Sequence, residues 1–117
     1  MDDSSNLTEE LIDVDNYIKE QNDLIRTGEH LKELQSSEAF QAVIVQGYVE
    51  AETKKLFDLL LTSNDVDRDQ IMRRIDAIKY FKEYVESVET LAIAAPGNIK
   101  ETQLVRDELI HNQNTIR

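Results

Sequence analysis

Asp65, Asp67 and Asp69 stand at alternate positions in TSNDVDRDQIMRRID (residues 62–76), and Asp76 follows eleven residues after the first. Carboxylates so spaced could begin a calcium loop, which needs oxygens at positions 1, 3, 5, 7, 9 and 12, a glycine at 6 and a bidentate glutamate at 12. Counted from Asp65, position 6 is Gln70, position 12 is Asp76, and positions 7 to 12 read IMRRID, which brings two arginines into the ring. Ile71 and Ile75 in that stretch belong to a helical apolar seam, and a helix cannot also be the loop. The residues read instead as a helix start. Asp65 or Asp67 caps it, Asp67 pairs with Gln70, and the acidic first turn meets the positive end of the helix dipole, each effect worth about 0.5–1 kcal/mol. No metal site is expected here, and no cofactor elsewhere.

The remaining candidates for chemistry are sparse. His30 and His111 are the only histidines, and neither has a zinc-ligand spacing or a serine nucleophile beside it. Glu108-x-x-His111 supplies one half of a di-iron bundle motif, and no second copy answers it. Gly28, Gly47 and Gly97 are isolated and form no phosphate loop, and cysteine is absent, which removes thiolate chemistry and disulfides. Without a catalytic constellation there is no reason to choose a working pair among 24 acids, so the chain is not expected to be an enzyme.

What remains is surface. At 117 residues the chain is expected to form a single helical domain, with 1 proline, 3 glycines and 32% charged residues favouring charged amphipathic helices over turn-rich sheets. A net charge of −11 repels phosphate backbones and favours basic partners. The N-terminus reads as neither a signal nor a transit peptide, and AFQAVIVQGYVEA falls short of the roughly 20 apolar residues of a membrane span, so a soluble protein without direct nucleic-acid or membrane contact is expected.

The elements follow from spacing. Asn6 and Glu9 resemble a capping box, which would start a long first helix at Leu7 carrying a stripe of Leu7, Leu11, Val14, Ile18 and Ile25 beside Tyr17, Leu24 and Leu31. Gly28 would end, kink or weaken it. Ser36 and Ser37 cap a second helix from Glu38 to Thr62, in which Phe40, Ile44, Gly47, Tyr48 and Ala51 make one face and Ala42, Val45, Val49, Leu56 and Leu60 the other. Such a helix needs cover on both sides. Gly47 and Ala51 form a small-x-x-x-small pair that would let another helix approach, in the core or from a second subunit.

Ile71, Ile78, Val85 and Ala92 repeat every seven residues and predict a third helix, antiparallel to the second. LAIAAPGNIKETQ predicts a turn over 93–98 before a short fourth helix from about Ile99, and residues 1–6 and 112–117 are expected to fray. The predicted fold is all-α, an antiparallel hairpin of helices two and three within a three- to four-helix bundle.

The middle of the chain, HLKELQSSEAF through YFKEYVESV, resembles short helical proteins of tailed-bacteriophage virion and assembly genes. Leu31, Leu34, Phe40, Leu56, Leu60, Asp67, Ile78 and Phe81 carry that resemblance over about half the chain. It implies a virion or host-cytoplasm location and a role in particle assembly. The expected function is therefore that of a non-enzymatic structural protein that packs against itself or a larger phage protein. Val45, Val49, Leu56 and Leu60 are the expected contacts, joined by the aromatics Tyr80 and Tyr84. The alternative is an acidic inhibitor that mimics nucleic-acid charge and blocks a host DNA-binding protein, using Asp2, Asp3, Glu9, Glu10, Asp13 and Asp15.

Overall fold

The computed structural model describes the backbone of residues 3–115 and the side chains of residues 6–113. The described residues are all-helical, as expected, and contain no strand. They form α1 (Asp3–Gln35), a middle helix in three stretches, and α4 (Asp65–Thr115). The middle helix consists of α2 (Glu38–Phe40), a π-wound stretch π1 (Gln41–Glu52) and α3 (Thr53–Leu60). Two compact units arise, one from Met1–Gly28 with Thr90–Arg117 and the other from Glu29–Glu89. Both α1 and α4 contribute to each.

Several expected boundaries move. α1 begins at Asp3, upstream of the expected cap, so Asn6 lies inside the helix. Of the ends expected to fray, residues 3–6 and 112–115 are helical, while Met1, Asp2, Ile116 and Arg117 lie outside the described residues. Ser37 caps the middle helix as expected, its hydroxyl accepting the Phe40 N–H at 3.3 Å. That helix ends at Leu60, where the Ser63 hydroxyl donates to the Leu60 carbonyl at 3.2 Å. The cap of α4 is Asn64 and not an aspartate: its Oδ1 accepts the Asp67 N–H at 3.0 Å, leaving Asp65 and Asp67 in the first turn.

The first unit pairs two heptad seams. On α1 the inward positions are Leu7, Leu11, Val14, Ile18, Gln21, Ile25 and Gly28, in alternating steps of four and three. The α4 seam runs through Ala92, Ala95, Ile99, Thr102, Arg106 and Leu109 in matching steps. The helices are antiparallel: Gly28 faces Ala92, Asn98 Nδ2 donates to Gln21 Oε1 at 3.0 Å, and Arg106 Nε donates to Asp15 Oδ1 at 2.9 Å. Gln21 is only 7% exposed and fills the step between Ile18 and Ile25 that the apolar pattern leaves open. A buried polar pair in such a seam gives up some stability and penalises every shifted register, since a slip would strand both amides.

The turn expected over 93–98 is absent, because α4 runs straight through Pro96. Proline removes one backbone N–H and crowds the carbonyl four residues earlier, at a cost of about 3 kcal/mol in a helix interior. Here the seam is occupied on both sides of it. Ala92 and the wholly buried Ala95 precede Pro96, Asn98 and Arg106 follow it, and Pro96 and Gly97 point outward. Ending the helix at Ala94 would forfeit the second half of that seam. Pro96→Ala should therefore stabilise the chain by about 1–3 kcal/mol, visible as a higher urea midpoint. A lower midpoint would show that the seam depends on a backbone shape that only proline imposes.

In the second unit the middle helix packs on the first half of α4. Leu56, Ile71 and Ile78 are buried together, with Tyr48, Val49, Leu60 and Ile75 against them. Tyr48 meets Phe81 edge-on with ring centroids 5.8 Å apart, and Arg74 donates to Glu52 Oε1 at 2.8 Å. At the other end Gln35 Nε2 donates to Glu89 Oε1 at 2.8 Å, while Gln41 Nε2 caps the α1 terminus through the Gln35 carbonyl at 2.7 Å.

The π winding explains why the two expected faces of the middle helix become one. Inward residues recur every four positions as Phe40 and Gln41, Ile44 and Val45, Tyr48 and Val49, Glu52 and Thr53, then Leu56 and Leu60. In an α-helix a row of that spacing drifts about 40° per step, which would carry Leu60 to the far side from Phe40. Bonds reaching back one residue further turn the backbone less per residue and offset the drift. Phe40, Ile44 and Tyr48 thus join Val45, Val49 and Leu60 on the covered side, leaving Ala42, Gly47 and Ala51 exposed.

Candidate interaction groove

The winding that gathers large side chains inward leaves a shallow row outside. Ala39, Ala42, Val43, Gln46 and Gly47 are exposed and carry no charge, in a chain with 32% charged residues. Between this row and α4 lies an open groove of about 440 Å³, lined by Val43, Gly47, Tyr48, Leu56, Ala77 and Ile78 together with the paired Glu52 and Arg74. Leu56 and Ile78 form its floor. Gly47 and Ala77 keep its walls low, because glycine has no side chain and alanine only a methyl group.

Arg74 also borders a second hollow of about 340 Å³ toward the turn, where Leu59 and Ile71 supply the apolar surface. On the α4 side the apolar rim continues outward, since Ala77, Tyr80 and Tyr84 share a face at i, i+3 and i+7. Tyr80 and Tyr84 are 65% and 64% exposed.

The opposite flank of the same helix pair differs in its chemistry. Its hollow is lined by Val49, Thr53, Phe57 and Ile75, but Lys79, Lys82, Glu83 and Glu86 border it. Covering it means desolvating four charged side chains. In the groove the two lining charges, Glu52 and Arg74, are paired with each other at 2.8 Å.

The expected contact residues therefore separate. Leu56 is wholly buried within the chain, and Val49 and Leu60 pack on its cluster, so these three serve the core; Val45 is half-buried on the same covered face. Tyr80 and Tyr84 are exposed. Val43 and Ala77 are exposed beside them and were not among the expected contacts.

The aspartates that suggested an ion loop lie in the first turns of α4 and are all exposed. Asp67 stands about 200° round the helix from Asp65 and Asp69, and Asp76 follows Asp69 about 10 Å further along the axis, so the four carboxylates do not surround one point. Among the described residues no three His, Asp or Glu side chains gather as metal ligands. Of the acids expected to mimic nucleic-acid charge, Asp15 is paired with Arg106, Glu9, Glu10 and Asp13 are exposed, and Asp2 lies outside the described residues. No helix of the described residues is long and apolar enough to cross a membrane. Comparison with protein-family models, with curated proteins and with solved structures returns no match.

Proposed function

We propose that this chain is a non-enzymatic structural and interaction protein that works by helix packing, with the hairpin of the middle helix and the first half of α4 as its packing unit. The observation that carries this reading is the mainly apolar groove lined by Leu56 and Ile78, whose two lining charges, Glu52 and Arg74, are paired with each other, and which is bordered by exposed Val43, Ala77, Tyr80 and Tyr84. An apolar concavity with low walls suits a helix face, since small residues let backbones come close and the floor accepts larger knobs. A bacteriophage particle or its assembly, in the virion or the host cytoplasm, is the setting that the resemblance of residues 30–88 suggests.

Val43→Glu combined with Ala77→Glu tests the reading. Both positions are exposed, so the substitutions should leave helicity unchanged and shift stability by no more than about 0.5 kcal/mol each. The double variant should lose association with every partner that co-purifies with the native chain from its source. Undiminished association, with the fold intact, would contradict the proposal.

A further inference from the structure

We infer that the middle helix is a two-state element, π-wound while α4 holds it and α-wound once that hold weakens. The inference goes beyond the packing role proposed above and does not depend on the groove.

Length is the first observation. π winding is uncommon and occurs mostly as single turns inside α-helices, whereas π1 runs for 12 residues. Nothing in its composition bars the α form, since Gln41–Glu52 contains no proline and one glycine. What sets the winding is therefore the packing around it. None of its own residues is fully buried, and the hold comes from Tyr48 and Val49 against the cluster of Leu56, Ile71 and Ile78.

Gly47 and Thr53 mark two places where the winding meets a limit. A Cβ on Gly47 would stand 3.1 Å from the Ala42 carbonyl oxygen, five residues back, and no other element supplies an atom within 4 Å among the described residues. Gly47 is exposed, so the crowding is internal to the helix. At the far end the Thr53 N–H bonds the Glu50 carbonyl, three residues back, and the Thr53 hydroxyl donates to the Val49 carbonyl at 2.6 Å. In an α-helix the Val49 carbonyl accepts the Thr53 N–H itself. The hydroxyl thus takes a place that a backbone donor holds in the other winding.

The two windings do not blend. A row that runs straight at every fourth residue turns about 90° per residue, against about 100° in an α-helix, so rewinding all 12 residues turns α3 by about 120° relative to α2. Phe40 and Leu56 then no longer share a side. The packed row splits in two and α4 can cover one half, so packing selects between two discrete arrangements.

Gly47→Ala and Ile78→Ala approach the element from its two sides. The first favours α over π, because alanine suits an α-helix better than glycine and crowds the Ala42 carbonyl in π1. The second trims the hold of α4 without touching the middle helix. NMR couplings across hydrogen bonds identify the carbonyl that each amide meets. In the full native chain, amides 46–52 should couple to carbonyls five residues back. In the variants they should move to carbonyls four residues back, with far-UV helicity unchanged. Five-residue partners kept in either variant would overturn the inference, and so would melting of 41–52 in both. Four-residue partners in the native chain would overturn it as well.

Discussion

Gly28→Leu should destabilise the chain by about 3 kcal/mol or more, the upper range for overpacking a tight contact. Gly28 is buried, and a Cβ built on it would fall closer to the Ala92 Cβ than real Cβ atoms come. Ala92 cannot turn aside, because its Cβ is fixed to the backbone, so the two helices would have to part. Even Gly28→Ala should cost about 1–3 kcal/mol. The sign is informative, since helix propensity alone predicts a gain of about 1 kcal/mol for that substitution. Exchanging the two residues, Gly28→Ala with Ala92→Gly, should return stability to within about 1 kcal/mol of the native chain, because one methyl group again occupies the contact. Urea unfolding of the three variants decides the matter. A stabilised Gly28→Ala would show that α1 and α4 do not meet closely there.

Leu56→Ala should cost about 2–5 kcal/mol, as expected for a buried leucine whose site cannot fully collapse. Leu56 is 0% exposed and bridges Ile71 and Ile78, the other buried apolar residues of its unit. Because that core is small, the loss should lower cooperativity as well as the midpoint, read as a shallower urea transition. Leu56→Asp should unfold the unit outright, whereas Val43→Glu, on the groove wall, should leave it folded. A folded Leu56→Asp variant that merely failed to associate would return Leu56 to the interface and remove the floor from the groove.

The helical class was legible in the sequence, and so was the heptad character of the seams. The exact partners were not. Gln21 interrupts the α1 stripe as a polar residue, so spacing alone left a gap of seven where a buried amide keeps the register. Pro96 and Gly97 carry the strongest local signal for a break. The steps of three and four from Ala92 through Ala95, Ile99 and Thr102 nevertheless pass through them unbroken, and the tertiary seam prevails over local preference.

The groove was hidden for a related reason. Reading the middle helix with 3.6 residues per turn placed Phe40 and Leu60 on opposite sides and implied two apolar faces. Its period of four was visible, but not the π winding that makes a straight row of it, because that winding belongs to backbone hydrogen bonds and no residue type announces it. That spacing places Leu56 on a contact surface, whereas the structure buries it and exposes Val43.

Site-specific photo-cross-linking of the full chain in its native source tests most directly whether the groove is the working surface. A photoreactive side chain at Val43 should give defined protein adducts. The same group at Lys82, on the charged flank, should give none. Adducts from Lys82 without any from Val43, or equal yields from both, would contradict the account.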